Sequence, residues 1–112
     1  MVSAELWLSF ASVIRAYAAA SAVNADLAPE VTVADDAILI DAGAARLEVR
    51  CDPRTGGGTW QLQRDGAITI QGEFALRPEG RIALHEKTLD LDHAAIDLVA
   101  SVMNAAAARN ER

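Results

Sequence analysis

The sequence predicts an α+β, two-layer domain: an N-terminal helix, a five-stranded antiparallel β-meander and a C-terminal helix, with both helices on one face of the sheet. Three observations lead there. Residues 59–84, TWQLQRDGAITIQGEFALRPEGRIAL, alternate apolar and polar as half-buried strands do, and turn residues interrupt the alternation twice. Both ends of the chain space apolar residues three and four apart, as amphipathic helices do. A length of 112 residues supports one core without metal or disulfide, so residues 1–112 are expected to form a single domain.

The first helix is expected from about Ala4 to Ala22, with Ser3 as its N-cap and Glu5 in the first turn, where the helix dipole favours an acid. Leu6, Phe10, Val13 and Tyr17 form its apolar stripe, widened by Trp7, Ile14 and Ala18. Glu5, Ser9, Ser12 and Arg15 fall on the other side, and the helix ends before Pro29. Between Asp26 and Asp36 the pattern weakens, and Val31-Thr32-Val33 reads equally as a short strand or a packed loop. A hairpin follows. Glycine-first Gly43-Ala44 suits a type II′ turn, which sets Ile40 opposite Leu47, Ile38 opposite Val49 and Asp41 opposite Arg46.

The segment from Asp52 to Gly58 is the longest irregular connection and the candidate mobile loop. Its glycines suggest a phosphate cradle, but they lead into a strand, whereas phosphate loops open a helix. In the central meander, a three-residue loop Arg64-Asp65-Gly66 sets Leu62 opposite Ile68 and Trp60 opposite Ile70. A two-residue loop would oppose Leu62 to polar Thr69, and is rejected on that ground. At the next reversal Pro78 presets the first turn position and Gly80 the left-handed one, so that Leu76 faces Ile82 and Phe74 faces Leu84. Ile68, Ile70, Gly72, Phe74 and Leu76 share the oily parity of their strand. After Leu84 a connection leads to the second helix, N-capped by Asp92, with Leu91 and Ile96 as a hydrophobic staple. Ile96, Val99, Ala100, Met103 and Ala107 make its stripe, with Leu98 and Val102 beside it.

Composition narrows function by exclusion. A formal net charge of −6 argues against nucleic acid, which is held by clustered Lys and Arg. The apolar N-terminus lacks a basic leader and is interrupted by Glu5, Ser9 and Arg15, so neither a signal peptide nor a membrane span is expected. The single cysteine, Cys51, fits a reducing compartment and a cytoplasmic, small core residue. Alanine and arginine usage suits a GC-rich bacterial genome. No cofactor and no metal is expected: Asp35, Asp36 and Asp41 lack the acid–x–acid–x–acid–Gly order of a calcium loop.

The wet face of the sheet carries the candidate binding surface, Arg46, Arg50, Gln61, Gln63, Thr69, Gln71, Glu73 and His85. The short side chains of Thr69, Ala75 and Ala83 on that face would let a second flat sheet approach. The functional expectation is therefore a non-enzymatic intracellular protein–protein interaction module, partnered by itself as a homodimer or by another protein. Simple exposure to water is the plainer reading of such a face. Two alternatives belong to other classes. A small-molecule ligand could occupy a pocket between helices and sheet, lined by Ile96 and Met103. An enzyme could use Glu73 opposite His85, the minimum of a general acid–base pair, although an exposed ion pair accounts for the same residues.

Overall fold

A computed structural model describes residues 2–22, 28–52, 54–84 and 86–107, with side chains from residue 5 onward. Helix α1 (Val2–Ala22) precedes seven strands, and helix α2 (Leu91–Ala107) follows them. The strands are β1 (Glu30–Val33), β2 (Ala37–Ala42), β3 (Ala45–Cys51), β4 (Gly57–Arg64), β5 (Ala67–Arg77), β6 (Arg81–Leu84) and β7 (Lys87–Asp90). They form one antiparallel sheet whose spatial order is the chain order. The helix–meander–helix outline is thus present, with seven strands where the sequence predicts five. The two additions are the open Val31–Val33 segment, which pairs with β2 as β1, and β7, which the sequence pattern left as a connection because its four residues KTLD alternate too briefly.

The β2–β3 hairpin has the expected register, with Ile40 opposite Leu47 and Ile38 opposite Val49. Gly43 takes a positive φ of 57° at its turn, and Arg46 Nε donates to Asp41 Oδ1 at 2.6 Å. The β5–β6 reversal is also as expected: Gly80 has φ 83°, Leu76 faces Ile82 and Phe74 faces Leu84.

The β4–β5 hairpin corrects the sequence reading. Asp65 and Gly66, at φ 55° and 82°, form a two-residue loop closed by Arg64 opposite Ala67, the turn that Asp-Gly favours. Parity is restored by a β-bulge. Leu62 faces Ile70 and Gln63 faces Ile68, so Thr69 is the extra residue, and its hydroxyl donates to the Leu62 carbonyl at 3.1 Å. Leu62 therefore opposes Ile70, and Trp60 opposes Gly72. The objection to the short loop, that it would face Leu62 with Thr69, is met by lifting Thr69 out of the ladder.

One hydrophobic cluster holds the protein together. From β2 to β6 it takes one row of each, including Ile38, Ile40, Leu47, Val49, Trp60, Leu62, Phe74, Leu76, Ile82 and Leu84, with half-buried Val31, Val33 and Leu89 of β1 and β7 packed against it. From α1 it takes Trp7, Phe10, Ala11, Ile14 and Ala18, and from α2 Ala94, Ala95, Leu98, Val99, Val102 and Ala106. The helices pack on each other; α1 also approaches β1 and β5, and α2 approaches β2, β3, β4, β6 and β7. Both buried faces are rotated slightly from the predicted stripes. Val13 and Tyr17 are half-buried beside the Trp7–Phe10–Ile14 face, and Ile96, Ala100 and Ala107 of α2 are exposed.

The cap of α2 is Asp90 rather than Asp92. Its Oδ1 accepts the backbone N–H of His93 at 2.8 Å, and His93 Nδ1 lies 2.8 Å from the same oxygen. The helix starts earlier than predicted because β7 runs directly into it, which also removes Leu91 and Ile96 from staple positions.

Candidate functional site

The predicted wet face exists and is organised in cross-strand rows. Asp41, Arg46, Gln63 and Ile68 form one row, Leu39, Glu48, Gln61 and Gln71 the next, and Ala37, Arg50, Thr59 and Glu73 a third. Six of the predicted surface residues, Arg46, Arg50, Gln61, Gln63, Gln71 and Glu73, are therefore brought together on one face. Thr69 is withdrawn into the bulge. His85, and with it the proposed Glu73–His85 pair, lies outside the described residues.

Charges on this face are largely satisfied by one another. The Arg46 guanidinium beside Asp41 is held in its charged form, its pKa raised first by the hydrogen bond to that carboxylate. Arg50 Nε pairs with Glu48, whose other oxygen accepts from Gln61 Nε2 at 3.3 Å. Such exposed polar ladders fix side chains in place without adding much stability.

The unusual feature is the edge of β5. This strand is eleven residues long, yet β6 pairs only with Phe74, Ala75, Leu76 and Arg77. On the side away from β4, residues Ala67–Glu73 have no strand partner among the described residues. Backbone direction follows from one bond. Leu76 N donates to Gly56 O at 2.7 Å, so Leu76 and, by alternation, Phe74 and Gly72 direct their amides and carbonyls toward β4. Ala75, Glu73 and Gln71 direct theirs the other way. Ala75 finds β6, whereas Gln71 and Glu73 have no strand partner on that side among the described residues.

Along the same edge Ile68 and Ile70 are 52% and 55% exposed. The sequence places both on the oily parity, and the structure separates them. The bulge turns Ile68 into the Gln63 row, while Ile70 stays level with buried Leu62 but stands clear of covering side chains. An open cleft of about 670 Å³ occupies the notch where β6 stops, lined by Trp60, residues 70–75, Ala83 and Glu86. A shallower hollow of about 330 Å³ over β4 and β5 shares Gln71, Gly72 and Glu73 with it. Gly72 leaves the notch wide because the ring of Trp60 already fills the space of its missing side chain: a Cβ there would sit 2.9 Å from Trp60 Nε1. Glu86 reaches the cleft from the β6–β7 turn, where it holds a left-handed φ of 62°.

Sequence pattern missed this site because alternation reports which face a side chain takes, not which edge of a strand lacks a neighbour. The available signal was length: an eleven-residue strand followed by a four-residue one must leave part of its edge uncovered.

The other candidates fare differently. Ile96 is 42% exposed, so it does not line an interior pocket beside half-buried Met103. Cys51 is buried, and burial, followed by the charge of Asp52, pushes its thiol up to about 11, away from reactive-thiolate behaviour. In the Asp52–Gly58 connection, the Asp52 carbonyl accepts from Thr55 N and Gly56 N, and its carboxylate from Arg54 N at 3.0 Å. Among the described residues no cluster of three potential metal ligands occurs, and no helix is long and apolar enough to cross a membrane. Comparison with protein-family models, with curated proteins and with solved structures yields no match to this chain.

Proposed function

We propose that the protein is a non-enzymatic interaction module that binds another polypeptide by adding it, as a strand, to the open edge of β5. The edge Ala67–Glu73 carries this reading. It offers main-chain groups at Gln71 and Glu73 that have no strand partner on that side among the described residues, exposed Ile68 and Ile70, and an adjoining cleft. Strand addition draws affinity from main-chain hydrogen bonds and selectivity from pockets for alternate side chains. The outermost strands are blunted in the usual way, since β1 and β7 have four residues each and carry Glu30, Lys87 and Asp90. The segment 67–72 carries no charge that would repel a neighbour. In this reading both helices cover the same face of the sheet, supported by the shared cluster of strand and helix residues, and β5 projects beyond that cover.

The test is selection of random displayed peptides on the immobilised chain, with Gln71→Pro as the discriminating variant. Proline there removes an amide directed at the open edge and spares the β4 ladder, so melting temperature is retained while binding of the selected peptides is lost. Failure to enrich any peptide, or equal binding to Gln71→Pro, overturns the reading. A homodimer is the second reading, favoured by the uncharged, isoleucine-bearing stretch itself, which a second copy of β5 would cover. Light scattering at micromolar concentration would show the dimer, and a strict monomer at high concentration removes it.

A further inference from the structure

We infer that Asp65-Gly66 is a self-modification site: in the folded chain its peptide bond rearranges through a cyclic imide to isoaspartate, and the product opens the tip of the β4–β5 hairpin. The reaction joins two groups that adjoin along the chain. The amide nitrogen of Gly66 attacks Cγ of Asp65 and a nitrogen–carbon bond forms. The protonated side-chain carboxyl loses its hydroxyl, which leaves as water with the amide proton. Water then adds to the five-membered imide. Cleavage at Cγ restores aspartate, whereas cleavage at the main-chain carbonyl leaves Gly66 bonded through Cγ and frees that carbonyl as an α-carboxylate. Composition and charge are unchanged overall, and water is the sole co-reactant.

Three features single out this dipeptide. Glycine leaves the attacking nitrogen unshielded: even a Cβ on Gly66 would meet nothing within 4 Å, and the sequence contains no other Asp-Gly and no Asn-Gly. Neither reacting group is occupied. The Asp65 amide donates to the Ala44 carbonyl at 2.9 Å, but among the described residues no hydrogen bond or ion pair engages the Asp65 carboxyl or the Gly66 amide. By contrast, the carboxylate of Asp41 is paired with Arg46, that of Asp90 caps α2, and Asp52 precedes a proline, which has no amide hydrogen to lose. Third, the tip opens readily. Asp65 holds a left-handed φ of 55°, strained for a residue with a side chain, and residues 65–71 are all exposed. Segments with so few buried contacts open without global unfolding, and the imide forms from that opened turn. Isoaspartate lengthens the main chain by one carbon. The two-residue loop that closes Arg64 opposite Ala67 depends on positive φ at both of its residues and does not accommodate the extra atom, so pairing at Arg64–Ala67 and Gln63–Ile68 is lost. Buried Leu62, opposite Ile70, marks where the ladder holds.

The experiment incubates the full chain for weeks at mildly acidic pH, folded in buffer and unfolded in urea. Because mass does not change, the product is read by enzymatic transfer of a labelled methyl group from S-adenosylmethionine to the isoaspartyl α-carboxylate, followed by peptide mapping. Label is expected in the peptide containing Asp65 of the folded chain, accumulating within about tenfold of the rate in urea, the factor that a low-cost opening permits. Asp65→Glu, whose longer side chain cannot close the five-membered ring, is expected to lose it. Hydrogen exchange on the separated product should show lost protection at residues 63–64 and 67–68, with that of Leu62 retained. Label confined to the urea sample, label distributed over other aspartates, or label persisting in Asp65→Glu overturns the inference. So does a modified chain that keeps full protection around the turn.

Discussion

Gly58 supplies the sharpest test of how β3, β4 and β5 are packed. It stands between Cys51 on β3 and Phe74 on β5, and a Cβ added to it would lie 2.1 Å from the Arg50 carbonyl oxygen and 2.6 Å from Phe74 Cζ. The aromatic ring can turn aside, but the carbonyl belongs to a paired strand and cannot. Overpacking of this kind costs about 1–3 kcal/mol, and a clash with backbone belongs at the upper end. For a domain of this size the loss corresponds to a fall of roughly 10–20 °C in melting temperature. Its neighbour Gly57 is the control. There the added carbon meets only Thr55 Oγ1, at 3.6 Å, and φ is not left-handed, so Gly57→Ala should be neutral or stabilise by up to about 1 kcal/mol. Urea and thermal unfolding followed by circular dichroism would measure both. The combination Gly58→Ala/Phe74→Leu removes the ring from the clash and should recover little, because the carbonyl remains. Stabilities of Gly58→Ala and Gly57→Ala within 1 kcal/mol of each other would refute the packing argument.

Two further predictions concern ionisation. The Asp90 carboxyl is held below its usual range, first by the backbone N–H of His93 and then by that residue's side chain, so its contribution is present above about pH 4 and lost as pH falls through its folded value. Asp90→Ala should therefore lower the melting temperature at pH 7, with the difference from the parent shrinking toward pH 2; a constant difference would exclude the cap. Cys51 runs the opposite way. Its neutral thiol is favoured by burial, so the associated stability is present below the unfolded thiol's value near 8.5 and lost as pH rises toward about 11. Alkylation at pH 8 should be slow in the native chain and fast in urea, and Cys51→Ala should flatten the alkaline decline in melting temperature.

Sequence periodicity carried most of the architecture because a strand buried on one face must alternate and a helix must stripe. The hairpins at Gly43 and Gly80 were legible for the same reason: a glycine needing positive φ and two apolar rows together leave one register. The β4–β5 hairpin was not, since a bulge moves one residue out of the count and leaves no compositional trace beyond a threonine able to bond backward. Short β7 was hidden by its charged ends, and that concealed Asp90 as the cap of α2. Alternation alone was enough to place Arg46, Gln61, Gln63 and Gln71 in adjoining rows of one face. The open edge beside it depends on where β6 stops relative to β5, a relation between two strands that neither one's residues express alone.

Because neighbouring strands in space are neighbours along the chain, every rung of the sheet can form by closing a short loop, and little chain entropy is lost at each step. The contact between α1 and α2 is of another kind, joining segments separated by the entire meander. Assembly is therefore expected to proceed as a zipper of local hairpins locked last by its two end helices, which places the topological cost of folding in a single late event.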